Sequence, residues 1–177
     1  MKRFLVLFLS LFLVLLVAGC DNVAVDNSSK PNNQTNDQNN QTPVPPPGQT
    51  VYSIGELIEF TNGLSIIVMS TKSDMGKEYF GPDEGNEYFY VMVQLTNNTG
   101  ESQSISSLLQ FKLKNDDGLE YSLAIFADTT GSLDGSIISG DKMTGEVAFE
   151  IPKDSDEALY LYFSPSLFSD PVKIKVR

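Results

Sequence analysis

From Gln49 to the C-terminus, apolar and polar side chains alternate in short runs. Leu109, Phe111 and Leu113 alternate with Gln110, Lys112 and Lys114, while Met143, Val147, Phe149 and Ile151 oppose Thr144, Glu146 and Glu150. Nearer the end, Leu159, Leu161 and Phe163 oppose Tyr160 and Tyr162, and Val172, Ile174 and Val176 oppose Lys173 and Lys175. A period of two sends alternate side chains to opposite faces of an extended chain, so each run predicts a strand with one buried face. In Leu64 to Ser70 and Tyr88 to Leu95 apolar residues occupy nearly both parities, the mark of strands central in their sheets. Val51 to Phe60 predicts a further strand, kinked at Gly55.

Turn-forming residues separate these runs. Thr61-Asn62-Gly63 follows the first strand, Asn115-Asp116-Asp117-Gly118 makes a hairpin, and Asn97 to Gly100, Ser139 to Asp141 and Pro152 to Asp156 mark other strand ends. Gly140 and Asp141 open a strand from Lys142 to Ile151 that should bury every second side chain, and Pro152, lacking an amide hydrogen, ends its ladder. No stretch in this region has helical periodicity. About seven short strands without helices predict an all-β fold, a two-sheet antiparallel β-sandwich over residues 49 to 177.

The N-terminal part has a different character. Lys2 and Arg3 precede an apolar run, Phe4 to Val17, broken only by Ser10. The run fits a secretory leader and falls short of the ~20 residues of a spanning helix. It ends in Val17-Ala18-Gly19-Cys20, which resembles the bacterial lipobox: small residues admit a peptidase between Gly19 and Cys20, and the thiol accepts the lipid. Residues 1 to 19 are thus expected to be removed, leaving Cys20 as a lipidated N-terminus. Two or more acyl chains anchor stably where one does not. The next thirty residues, 21 to 50, hold seven Asn, four Gln and five Pro with no aromatic residue. Such a segment buries too little apolar surface to offset the entropy of ordering it, so residues 20 to 48 are expected to form a disordered tether.

Composition narrows the chemistry. Histidine is absent and Cys20 is the only cysteine, which excludes Ser-His-Asp and Cys-His catalysis and histidine-based zinc or copper sites. Without residues 1 to 19 the chain loses Lys2 and Arg3, leaving ten basic against 23 acidic side chains, a formal charge of −13. That balance argues against nucleic acid as a partner, and against anionic lipid head groups beyond the acyl anchor.

Four segments carry a resemblance: YSIGELIEFTNGLSIIV (52 to 68), YFYVMVQLTNNTGES (88 to 102), LLQFKLKNDDGLEY (108 to 121) and GSIISGDKMTGEVAFEIP (135 to 152). Together they resemble the telokin-like, immunoglobulin-like domain of unknown function found in secreted bacterial lipoproteins. The resemblance implies an immunoglobulin-like sandwich on an exported, lipid-anchored protein of a Gram-positive bacterium. It supplies no catalytic residues.

The residues themselves leave few sites. Glu146 and Glu150 share a strand face but stand about 13 Å apart by strand rise, too far for a glycosidase pair, and read as solvated outer-face residues. Asp83, Glu84 and Glu87 lie in the Gly-rich stretch GPDEGNE and offer the hard oxygens calcium needs, although the spacing is not that of an EF-hand. Two long connections, Lys72 to Glu87 and Ser122 to Gly140, carry Tyr79, Phe80 and Phe126. These three are binding-anchor candidates. The competing expectation is that Phe80 or Phe126 folds back to cap an open end of the sandwich. Tyr88, Tyr90, Tyr160 and Tyr162 point away from the core-facing parity and suggest an aromatic sheet face. The whole reads as a non-enzymatic, membrane-anchored module that binds an envelope or extracellular protein. The alternative is a small-ligand or calcium-binding accessory of a transporter or sensor.

Overall fold

The structure, a computed structural model, describes residues 50 to 177 apart from Glu78. The expected leader, with Gly19 and Cys20, and the expected tether lie outside the described residues.

The described chain runs β1 (Val51–Ser53), β2 (Leu57–Glu59), β3 (Leu64–Asp74), β4 (Asn86–Asn97), β5 (Gln103–Ile105), the single helical turn α1 (Ser107–Gln110) and β6 (Phe111–Asn115). It continues with β7 (Glu120–Tyr121), β8 (Gly135–Ile137), β9 (Lys142–Pro152), β10 (Leu159–Phe163) and β11 (Val172–Lys175). A five-stranded sheet has the order β1-β11-β10-β6-β7, a four-stranded sheet the order β2-β3-β4-β9, and β5 pairs with β8. All pairings are antiparallel except β1 with β11, which is parallel.

The alternation read from the sequence is what joins the two large sheets. Leu64, Ile66 and Val68 of β3, Val91 and Val93 of β4, and Val147 and Phe149 of β9 share one core with Leu113 of β6, Leu159, Leu161 and Phe163 of β10, and Ile174 of β11. Each such side chain contributes roughly 1.5–3 kcal/mol on burial, so the sandwich has a substantial apolar source of stability. β3 and β4 are central in their sheet, as their two-sided apolar pattern requires.

Two expected strands differ in detail. Val51 to Phe60 is not one kinked strand: the chain reverses at Ser53 to Glu56, where Glu56 N–H donates to Ser53 O at 3.2 Å and Gly55 takes φ +86°. β1 thereby joins one sheet and β2 the other. Leu109 does not continue the alternation of Phe111 and Leu113, since it sits in α1 with 58% of its surface exposed. Gln110 is the buried residue instead. Its side chain accepts from Ser106 N–H at 2.8 Å and donates to Ser164 O at 3.0 Å, satisfying backbone groups that a leucine could not.

Two contacts fix how the sheet ends align. Phe60, just before β3, packs on Phe163 at 5.8 Å, and the Arg177 guanidinium lies 5.6 Å from the Phe89 ring. One end of the sandwich therefore gathers Leu64 with Phe163 and the residues in register with it, Phe111 and Val172, beside the chain entry at Val51. The other end gathers Asp74, Asn86 and Pro152 with Leu159 and Arg177.

Candidate binding site

The free edge of β9 is closed by the irregular segment that follows β7. Glu150 N–H donates to Ser122 O at 3.0 Å, Ala124 N–H to Ala148 O at 2.8 Å, and Glu146 N–H to Thr130 O at 2.9 Å. Gly131 bridges Gly145. A Cβ on Gly145 would stand 2.8 Å from the Ser132 backbone, so this approach requires glycine.

The segment also covers the outer face of the four-stranded sheet. Tyr88, Tyr90 and Ala148 form a second small core against Ala124 and Ala127. This overturns two expectations. Tyr88 and Tyr90 are buried and present no open aromatic face, and Tyr160 and Tyr162 belong to the other sheet. β9 also does not bury every second residue, because Gly145 to Phe149 are all buried, with the core on one side and the segment on the other.

Glu146, expected to be solvated, is 7% exposed beneath this segment. Lys72 Nζ lies 2.7 Å from its Oε1, and Thr130 N–H donates to its Oε2 at 2.8 Å. Burial pushes the Glu146 carboxyl up, but Lys72 and the Thr130 amide outweigh it and hold the group below the ordinary glutamate value. Lys72 also lies 4.7 Å from the Tyr90 ring centroid. Tyr90 OH donates to Asp74 at 3.0 Å, and burial together with that carboxylate raises the phenol well above its ordinary pKa. Glu150 is held separately, accepting from Asp83 N–H at 2.8 Å and Asn86 Nδ2 at 2.9 Å. The two glutamates thus serve as attachment points for different loops.

Between Ala124 and Thr130 the segment leaves β9 and carries Ile125 and Phe126 into solvent. Phe80 meets Phe126 from the β3–β4 connection, with ring centroids 6.3 Å apart and planes inclined by 30°. That connection is shaped by Gly76, whose φ is +65° and whose amide donates to Asp74 Oδ1 at 2.8 Å. Phe80 is 59% exposed, Phe126 68% and Tyr79 86%, so none of the three caps the core. Lys77 and Asp128 form an ion pair beside the rings at 2.5 Å, which lowers the Asp128 pKa. Lys77, Phe80, Phe126, Ala127 and Asp128 line a shallow concavity of about 270 Å³. Stacked rings beside an ion pair offer an apolar anchor with polar groups at its rim.

Residues 52–174 match the model of a domain of unknown function, DUF4352. The chain belongs to the DUF4352 family. Its fold is also that of several solved structures. The yjhA protein of Bacillus subtilis is 18% identical with a TM-score of 0.57, covering 72% of this chain and 100% of that one. The secreted protein MPT63 of Mycobacterium tuberculosis is 16% identical with a TM-score of 0.53, covering 72% and 98%. An uncharacterised β-sandwich protein of Clostridium difficile is 18% identical with a TM-score of 0.51, covering 72% and 95%. No curated protein matches the chain.

The remaining candidates on this DUF4352 domain separate. Asp83 and Glu84 lie in the turn before β4, whereas Glu87 is within β4 on the parity of Phe89, directed away from Asn86 and Tyr88. Among the described residues no three Asp, Glu, His or Cys side chains gather closely enough to hold a metal ion, so the calcium trio Asp83, Glu84 and Glu87 is not a cluster. Its proximity in sequence was broken by the start of a strand. Among the described residues no helix is long and apolar enough to cross a membrane.

Proposed function

We propose that this DUF4352 chain is an exported, lipid-anchored protein of the outer side of the cytoplasmic membrane, and that its immunoglobulin-like, telokin-like sandwich is a binding module without catalysis. One observation carries the binding role: Phe80 and Phe126, from two separate loops, stack in the open at the end of the sandwich opposite the chain entry. The small core of Tyr88, Tyr90 and Ala148 packs against Ala124 and Ala127 without them, and both rings keep more than half of their surface in solvent. A protein surface bearing an apolar pocket is the fitting partner. The anchor reading rests on the leader and on Val17-Ala18-Gly19-Cys20. Engagement of Glu146 and Glu150 in holding loops supports the absence of catalysis.

Photo-crosslinking from position 125 in intact cells tests the binding role. A discrete adduct is expected, lost in Phe80→Ala/Phe126→Ala with the melting temperature retained. An adduct that survives the double variant would overturn the assignment. The anchor is tested separately: Cys20→Ser should abolish incorporation of labelled fatty acid and move the protein from the membrane fraction to the medium.

A further inference from the structure

The end at which the chain enters the sandwich bears a second exposed apolar surface. Beyond Phe111 and Phe163 two loops project, one showing Leu108 and Leu109 at 67% and 58% exposure, the other Leu167 and Phe168 at 60% and 99%. The loops are joined at their base, where Ser164 N–H donates to Gln110 O at 3.0 Å and Gln110 Nε2 returns a bond to Ser164 O at 3.0 Å. Ser166 N–H donates to Ser169 Oγ at 3.0 Å, closing a turn around Leu167 and Phe168. The turn is thus built to hold two large apolar side chains in water.

Behind these loops lies the outer face of the five-stranded sheet. The pairing order β11-β10-β6 sets Lys173 and Lys175 on one side of Tyr162 and Tyr160, and Lys112 and Lys114 on the other. Lys173 Nζ stands 3.9 Å from the Tyr160 ring centroid and Lys114 Nζ 5.6 Å from that of Tyr162. Glu120 pairs with Lys112 and Lys114, both at 3.1 Å, and Asp170 lies exposed next to the apolar turn. Along β6, β7, β10 and β11 four lysines stand against one carboxylate, Glu120, while Asp170 and Asp134, which accepts from Ser107 at 2.8 Å, lie in the adjoining loops of a chain of net charge −11. Positive charge is thus concentrated on the sheet face, which weakens there the repulsion of anionic lipid expected from the total.

We propose that this end is a membrane-docking surface, with Leu167 and Phe168 entering the interface of an anionic bilayer and Lys112 and Lys173 meeting its head groups. A bilayer is an apolar phase beneath a charged plane, and apolar prongs ahead of a lysine-flanked tyrosine face match that layering. The chain toward Cys20 departs from this same end. In this respect the inference rests on the anchor reading, under which the lipid site at Cys20 lies 31 residues before Val51. Docking would turn the Phe80–Phe126 end away from the membrane, toward partners.

The test uses the chain from Asp21 onward, which lacks the lipid site and keeps every core residue, since the core is drawn from Tyr52 to Val176. Sedimentation with phosphatidylcholine vesicles containing phosphatidylglycerol should bring the protein down, less so at high salt. Loss of Lys112 or Lys173 should weaken binding about fivefold each. Leu167→Ser/Phe168→Ser should weaken it tenfold or more without lowering the melting temperature, while Phe80→Ser/Phe126→Ser should leave it unchanged. Absence of vesicle binding overturns the proposal, as does binding indifferent to the Leu167/Phe168 variant. So does a stable dimer that this variant dissociates, which would make the surface an interface between copies. Lipid labelling at Cys20 with no vesicle binding by the unlipidated chain would retain the anchor and remove only this inference.

Discussion

Replacing Glu146 by alanine should loosen the segment that carries Phe126 before it unfolds the sandwich. The variant removes the partner of Lys72 at 2.7 Å and the acceptor of the Thr130 amide at 2.8 Å. Breaking a buried pair at one partner costs about 3–5 kcal/mol. Lys72, with 48% of its side chain exposed, can rehydrate, so the loss from the ion pair falls to about 1 kcal/mol. An orphaned amide alone costs about 1–3 kcal/mol. Together these give about 2–4 kcal/mol, or a fall in melting temperature of roughly 8–16 °C for a domain of this size. Hydrogen exchange should locate the change, with the Ala124 and Glu146 amides, which bond across to β9 and the segment, exchanging faster.

Glu146→Gln keeps an oxygen for Thr130 and should lose about half as much. Because the folded carboxyl titrates below its ordinary value of 4.5, its stabilisation is present above that pH and disappears as pH falls through the depressed folded value. The difference between wild type and the glutamine variant should therefore shrink below about pH 4.5. An alanine variant within about 0.5 kcal/mol of wild type, or with unaltered Ala124 exchange, would refute the role given to this residue.

Gly145→Ala should cost about 1–3 kcal/mol by forcing the Ser132 backbone away, detected as a lower denaturation midpoint with an unchanged m-value. Tyr90 and Tyr121 both ionise above the ordinary tyrosine value of 10.0, Tyr121 at about 12 through burial and its bond to Glu157. The unfolded chain releases these protons first, so stability should fall as pH rises above 10, and Tyr90→Phe/Tyr121→Phe should flatten that decline in alkaline denaturation curves.

What could be read from the sequence followed from one-sided burial. β10 and β11 alternate cleanly because only their inner faces meet the core, and Leu161 and Ile174 lie where the pattern puts them. Tyr88 and Tyr90 depart from the pattern for the converse reason. A period of two tells which face a side chain takes, but not whether a loop lies over that face. The covering residues Ala124 and Ala127 sit in a stretch with no periodicity to announce them. Glu146 was hidden likewise, since Lys72 and Thr130 meet it only through pairing and loop closure. The lysines at 112, 114, 173 and 175 were visible as alternating positions. Their convergence around two tyrosines depends on the order β11-β10-β6, which no local pattern contains.

The closure of β9 bears on how copies of the chain meet at high local density. An open strand of eleven residues would offer each neighbour a ready backbone ladder and begin strand-to-strand polymerisation. Ser122, Ala124 and Thr130 occupy that ladder from within the same chain. The segment that carries Phe126 therefore also denies a template to copies of the same chain, and keeps neighbouring molecules separate at high local density.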